Sequence, residues 1–332
     1  MGSSLTGSNL VMDNKHITVI GPGRMGLGIA LAFALKGFKV TILDGKERAT
    51  NAYETVLKNA KEEVHSNLKL LRRIGYLRAS SQNILSKISF SHELNRESFN
   101  VPFIFEAIPE KPELKIELFR KISPYIHADS ILASTTSTIH LKTLKDGFSY
   151  PDKLLITHWL NPAFIIPLVE IAISEGTDTR TIDRMKKVLK KIGKAPVVLK
   201  DSPGFIVPRI QALAMNEAVR ILEEGVATAE DIDAAIKSGF AFRLGVLGLL
   251  EFIDLGGLDI LYYADDFLYS AFQSERFQKP KLVEEKMLKG EIGPRTGKGI
   301  YEYRNVDVRA LFEKRYKDLI KLLKFMQKNG LL

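Results

Sequence analysis

The stretch Lys15 to Asp44, KHITVIGPGRMGLGIALAFALKGFKVTILD, constrains the fold more than any other part of the chain. Ile17, Val19 and Ile20 form a short branched apolar run suited to a buried parallel strand, Gly21 to Gly26 supply a turn, and Leu27 to Leu35 read as an apolar helix. The chain turns again at Gly37 and resumes with a second strand, Val40 to Leu43, that ends on Asp44. The three glycines do different things. Gly21 permits the tight turn, Gly23 lets the backbone approach a pyrophosphate, and Gly26 lets the helix sit close to the sheet. Free N–H groups at the helix start, with the positive end of its dipole, favour an anion there. The expected cofactor contacts are therefore Gly21, Gly23, Arg24, Met25, Gly26 and Asp44. Asp44 would accept hydrogen bonds from the adenosine ribose, and a 2'-phosphate would meet like charge, so NAD is expected over NADP. Lys46 and Arg48 stand close enough in sequence to turn toward a phosphate.

A chain of 332 residues more naturally makes two domains than one. Its 48 Lys and Arg against 39 Asp and Glu suit an acidic ligand such as a nucleotide or a phosphorylated thioester carrier, and equally suit a lysine-rich solvated surface. No zinc-finger spacing or arginine cluster points to nucleic acid. The lack of cysteine excludes disulfides, thiolate metal sites and a cysteine nucleophile, and the six histidines show no metal-ligand spacing. Residues 1–14 read as a flexible extension without the apolar core of a signal peptide, and no run approaches the length of a membrane span. A cytoplasmic protein is expected.

Residues 15–202 alternate strands and helices, which predicts a Rossmann-like doubly wound sheet. Within it, residues 46–81 read as a helix or helical pair inserted before the third strand, with Lys58, Lys61, Lys69, Arg72 and Arg73 on the polar face. Strands are expected over Ile84–Phe90, Val101–Ala107, Ile131–Ala133, Lys153–Thr157, Pro167–Ile173 and Ala195–Leu199, and helices over Pro112–Ile122 and Thr177–Ile192. The third of these strands leads into Ser134 to Thr138, either a loop and cap or a cluster of donors facing a ligand. Residues 203–332 are expected to form a helical domain for substrate and dimerisation, with a dense apolar supply from Phe240 to Leu261.

His158 and Glu170 are the chemical candidates. A glutamate inside the strand PLVEIAI needs a partner, and a histidine at the end of another strand can hold it through one ring nitrogen while the other faces substrate. Such a pair makes a general base for removing a hydroxyl proton as hydride leaves the adjoining carbon.

Joined in order, GPGRMG, EAIPE, ASTTST, HWLNP with PLVE behind it, KDSPGFIVPR, EEGVATAEDIDAAIKSGFAFRLGVLGLLEFIDLGG and PRTGKGIYEY resemble the L-3-hydroxyacyl-CoA dehydrogenases, including the 3-hydroxybutyryl-CoA enzymes. The resemblance implies a two-domain NAD-dependent homodimer with an acyl-CoA thioester in the cleft. It implies that His158 is the base and Glu170 its partner, that Ser137 lies near the substrate oxygen and nicotinamide, and that Asn161 holds the active-site loop. Glu110 and Lys115 match cofactor contacts, and Lys58, Lys61 and Lys69 lie where the family meets CoA phosphates. The chain departs from the family pattern at Pro208, where asparagine is usual, and at Trp159, where phenylalanine is usual. Trp159, Phe240 and Phe242 are expected to shorten the acyl channel, favouring 3-hydroxybutyryl-CoA. Two alternatives stand beside this reading. One is a dehydrogenase of a free hydroxy acid or ring alcohol, of the L-gulonate, carnitine or hydroxypyridine type; the other is a non-catalytic nicotinamide-binding protein related to eye-lens crystallins.

Overall fold

The computed structural model describes residues 12–332, so residues 1–11 of the expected extension lie outside the described residues. The chain divides into two compact units, one ending at Leu213 and the other running Ala214–Leu332. The first contains β1 (His16–Ile20), α1 (Arg24–Ala34), β2 (Lys39–Leu43), α2 (Thr50–Arg73), α3 (Ser81–Leu85), β3 (Ile88–Ser91), α4 (Arg96–Phe99) and β4 (Phe103–Glu106). It continues through α5 (Pro112–Ile122), β5 (Ile131–Ser134), α6 (Leu141–Lys145), β6 (Leu154–Trp159), β7 (Leu168–Ile173), α7 (Thr179–Lys191) and β8 (Ala195–Lys200) into α8 (Val207–Glu223).

The strands form one eight-stranded sheet in the order β3-β2-β1-β4-β5-β6-β7-β8. Every pairing is parallel except that of β6 with β7. Chain order reverses at β1, which has β2 on one side and β4 on the other, and that is where open α/β sheets bind ligands. Side chains alternate between two cores because a strand has period two. Phe103 and Phe105 of β4 join one core and Ile104 the other, and Ile131 and Ala133 of β5 are separated from Leu132 in the same way. The first core is closed by α1, α2 and α7, the second by α5 and α6. Of the 24 residues of α2 only Ala60, Val64, Leu68 and Leu71 are buried, so it docks by a single stripe and leaves both flanks open.

Two expectations change at residue level. Ile84 and Leu85 end helix α3 rather than beginning β3: short apolar runs have no distinguishing period, and here the run is split between two elements. β6 runs on through His158 and Trp159, so the histidine is within a strand rather than after it.

The second unit is helical: α9 (Ala229–Ala235), a π-helical turn (Ile236–Phe240), α10 (Ala241–Leu244), α11 (Leu249–Gly256), α12 (Leu258–Phe272), α13 (Lys281–Leu288) and α14 (Val308–Lys328). The last is a long helix beyond those that the sequence motifs single out. Arg315 fastens it to α11, with Nε and Nη2 donating to Glu251 at 2.8 and 2.6 Å. Asp254, 1% exposed, receives the N–H groups of Ile300 and Tyr301 at 2.9 Å and the Tyr303 hydroxyl at 3.1 Å. The PRTGKGIYEY motif is therefore a loop closed on a buried carboxylate, and a Cβ on Gly299 would sit 2.4 Å from that carboxylate.

Candidate active site

The turn after β1 forms the floor of a cleft of about 1000 Å³ lined by Gly21, Gly23, Arg24, Met25, Asp44, Ala107 and Ile108, among others. Gly21 has φ +111°, and a Cβ there would lie 2.5 Å from the Ala107 carbonyl oxygen. A Cβ on Gly26 would lie 1.9 Å from the Gly21 carbonyl oxygen. Neither position accepts a side chain, whereas a Cβ on Gly23 would meet nothing within 4 Å, leaving backbone open to a ligand. No side chain caps α1, so its first N–H groups remain free for an anion. These residues fit a dinucleotide pyrophosphate. Asp44 is 5% exposed; its Oδ1 accepts from the Lys46 N–H at 3.3 Å and its Oδ2 from Arg48 Nε at 2.5 Å. Arg48 is thus bound to the acid at the tip of β2.

At the ends of β4 and β5 lies a charged network that the sequence does not announce. Glu106, fully buried, accepts from Lys115 Nζ at 2.5 Å, the Ile108 N–H at 2.8 Å and the Ser134 hydroxyl at 2.5 Å. Lys115 Nζ also lies 3.5 Å from Glu110 Oε2. Glu110 Oε1 accepts from the Thr136 hydroxyl at 2.5 Å and from the N–H groups of Ser137 and Thr138 at 2.8 and 3.0 Å. Burial pushes the Glu110 carboxyl upward, but those donors and the Lys115 charge outweigh it and hold the group below the usual glutamate range. Ser137 is exposed beside this network, while Lys115 is buried between Glu106 and Glu110.

His158 and Glu170 are direct partners across the antiparallel pair β6 and β7 and share a face of the sheet. His158 Nδ1 lies 2.8 Å from Glu170 Oε2, and Glu170 Oε1 accepts the N–H groups of Ile206 and Val207 at 2.9 Å each. The carboxylate, 1% exposed, therefore sits between the histidine and the first turn of α8, where the dipole also favours negative charge. An ionised carboxylate only accepts, so Nδ1 carries a proton and Nε2 is the ring nitrogen left for another partner. The Phe205 ring packs 5.1 Å from the imidazole, and Phe205 has φ +46°, an uncommon backbone state for a bulky residue. Pro208 stands in the first turn of α8, where a missing N–H breaks no helical bond.

Asn161, exposed, precedes Pro162 through a cis peptide bond. Trp159 is 4% exposed and packs with Phe33 and Phe105 in the core on the sheet face opposite His158. The expectation that Trp159 shortens an acyl channel is thus corrected: neighbours in a strand point to opposite faces. Lys61 and Lys69 line a separate groove of about 600 Å³ floored by Leu85, Ile88 and Phe90, while Lys58 is exposed elsewhere on α2. Among the described residues no group of His, Asp and Glu is arranged to hold a metal, and no helix is long and apolar enough to cross a membrane.

The model of the 3-hydroxyacyl-CoA dehydrogenase NAD-binding domain matches residues 16–202, and that of the C-terminal domain of the same family matches 204–303. The chain belongs to the 3-hydroxyacyl-CoA dehydrogenase family. It is an oxidoreductase with an NAD-binding domain, acting on a hydroxyacyl-type substrate. A solved 3-hydroxyacyl-CoA dehydrogenase from Archaeoglobus fulgidus is similar, with 34% identity and a TM-score of 0.74 over 94% of this chain and 99% of that one. A 3-hydroxybutyryl-CoA dehydrogenase of Clostridioides difficile is 32% identical over 86% of this chain and 99% of its own length. The 5-formyl-3-hydroxy-2-methylpyridine 4-carboxylate 5-dehydrogenase of Mesorhizobium japonicum is 29% identical over 94% of this chain and 98% of its own.

Proposed function

We propose that the chain interconverts (S)-3-hydroxyacyl-CoA and 3-oxoacyl-CoA, with 3-hydroxybutyryl-CoA the favoured substrate, and that it prefers NAD to NADP. The observation that carries the reading is the His158–Glu170 pair on adjacent strands, with the Nε2 lone pair left for a substrate hydroxyl. Bound NAD would accept the hydride in oxidation, and NADH would return it in reduction. In oxidation, His158 Nε2 takes the hydroxyl proton, and Glu170 stabilises the imidazolium and keeps the ring oriented. Ser137 donates to the substrate oxygen, its loop held by Glu110. Asn161 holds the loop beside the histidine. Preference for NAD rests on Asp44, with Arg48 engaged on that carboxylate rather than free for a 2'-phosphate. Lys61 and Lys69, with Lys58 nearby on the same helix, are the cations offered to CoA phosphates.

The helical unit is the dimerisation surface in this reading. Ile260, Tyr263 and Phe267 of α12 are 63, 60 and 72% exposed in the single chain and form one apolar stripe, which a second copy would cover.

A second reading has support of its own. The Mesorhizobium pyridine-carboxylate enzyme aligns with 94% of this chain, the same share as the Archaeoglobus 3-hydroxyacyl-CoA dehydrogenase, so the support comes from Pro208, which lacks the amide usual in the family. A free hydroxy acid or ring alcohol would then replace the thioester. One assay separates the two: oxidation of NADH and of NADPH with acetoacetyl-CoA, free acetoacetate, other oxo acids and a pyridine aldehyde. We expect the highest kcat/KM with acetoacetyl-CoA and NADH. An advantage of about tenfold for a free acid or ring aldehyde, some 1.4 kcal/mol, sinks the CoA reading and leaves hydride transfer standing.

A further inference from the structure

The turn that follows β6 is held from inside the protein by one cation. Pro162 accepts the N–H groups of Ile165 and Ile166 at 2.9 and 3.0 Å, which closes the segment Asn161–Ile166 on itself. The Ala163 and Ile166 carbonyls remain for another donor, and Lys194 Nζ reaches both at 2.6 Å. Its ammonium also lies 5.8 Å from the centre of the Trp159 ring. Lys194 is 8% exposed, and the charge acting on it comes from another cation, Lys36, at the end of α1. The nearby Lys191 of α7 is turned over the Phe38 ring, and His158 occupies the other face of the sheet. A buried ammonium without a carboxylate is costly, and an aliphatic side chain would fill the space more cheaply. What only a donor supplies is the two bonds to the turn.

That turn touches the dinucleotide helix directly: a Cβ on Gly28 of α1 would lie 3.2 Å from the Ala163 Cβ. We propose that Lys194 is a positioning residue for hydride transfer, its ammonium fixing the Asn161–Ile166 turn against α1 and so holding the end of β6, with His158, in register with the cofactor helix. The catalytic half of this inference rests on His158 acting as the base; the structural half does not. Displacing reacting groups by about 1 Å costs on the order of 10²-fold in rate. Lys194→Met should therefore lower kcat by roughly 10-fold to 100-fold with the KM for NADH changed less than about twofold.

Trp159 is the sole tryptophan and reports on Lys194 directly. Burial, with Lys36 nearby, brings the Lys194 ammonium down from 10.5 to about 8. The test is tryptophan emission and kcat of the full-length chain from about pH 6.5 to 9.5, below tyrosine ionisation, for wild type, Lys194→Met and His158→Ala. The expected result is an emission change centred near pH 8 in wild type and in His158→Ala, absent from Lys194→Met. A folded Lys194→Met with kcat within about twofold of wild type overturns the inference, as does a folded Lys194→Ala with such a kcat if Lys194→Met fails to fold. An active His158→Ala would defeat the proposed base while the kcat of Lys194→Met still decided the role of Lys194.

Discussion

Replacing Glu170 with glutamine removes one charge and changes almost no volume, yet the structure makes it a severe change. The native carboxylate accepts on both sides, from His158 Nδ1 at 2.8 Å and from the Ile206 and Val207 N–H groups at 2.9 Å. An amide has one accepting end. If its oxygen turns to His158, its NH2 meets two N–H donors at the start of α8, leaving buried donors unpaired at about 1–3 kcal/mol each. If the oxygen stays with α8, the NH2 faces Nδ1 and forces the imidazole into the other tautomer, with the proton on Nε2. The second arrangement sacrifices fewer bonds and should prevail. Nε2 is then no longer a base, and the loss should fall near the upper part of the range for a positioned acid–base group, about 10³-fold to 10⁴-fold, or 4–5.5 kcal/mol in the barrier. Steady-state NADH assays in both directions measure it, and kcat/KM should fall by one factor in each, because the equilibrium constant belongs to the substrates. A Glu170→Gln enzyme within about tenfold of wild type would refute the reasoning, since that is below the least expected of such a group.

Gly26→Ala should abolish measurable NADH binding by calorimetry and lower the melting temperature, because the added carbon would lie 1.9 Å from backbone oxygen that cannot move alone. Asp254→Ala removes the acceptor for three donors, at about 1–3 kcal/mol for each left buried and unpaired, so chemical denaturation should show a loss of about 3 kcal/mol or more and protease should cut first between residues 293 and 303. Lys194 is protonated less readily in the folded chain, at about 8, than unfolded, at 10.5, so the unfolded state binds the extra proton between those values and stability should rise with pH across that window. The melting temperature of wild type relative to Lys194→Met should therefore increase from pH 8 toward 10, and a flat difference would contradict the shift. Light scattering at micromolar concentration should give twice the chain mass of 37.2 kDa, and a monomer would contradict the dimer.

The β1–α1–β2 unit is legible in the sequence because its signals are local: branched residues, three glycines at fixed spacing and an acid at the next strand tip. The start of α5 at Pro112 is legible for the same reason. Glu170 stands out as an acid within an apolar strand, and Glu106 in FIFEA carries the same signal, but its partners Lys115 and Ser134 arrive from other elements. That β7 runs against β6, which brings His158 opposite Glu170, is a matter of chain reversal over a loop and leaves no periodic trace. Ending the strand at Thr157 puts Trp159 on the wrong side; two more strand residues turn the indole to the other core. Lys194 looks like any surface lysine after a helix, and only the tertiary contact with Ala163 and Ile166 distinguishes it.

The pair proposed to handle the proton, His158 and Glu170, is carried by two adjoining strands at fixed register, whereas what surrounds it is carried by loops and by helix starts. Strand spacing keeps the imidazole and carboxylate together whatever happens at the rim. Reshaping the rim is therefore free to change which alcohol enters without rebuilding the chemistry. A lineage on this scaffold can exchange substrates in small steps, each intermediate remaining a working dehydrogenase, and laboratory evolution toward a new alcohol should collect its substitutions outside β6 and β7.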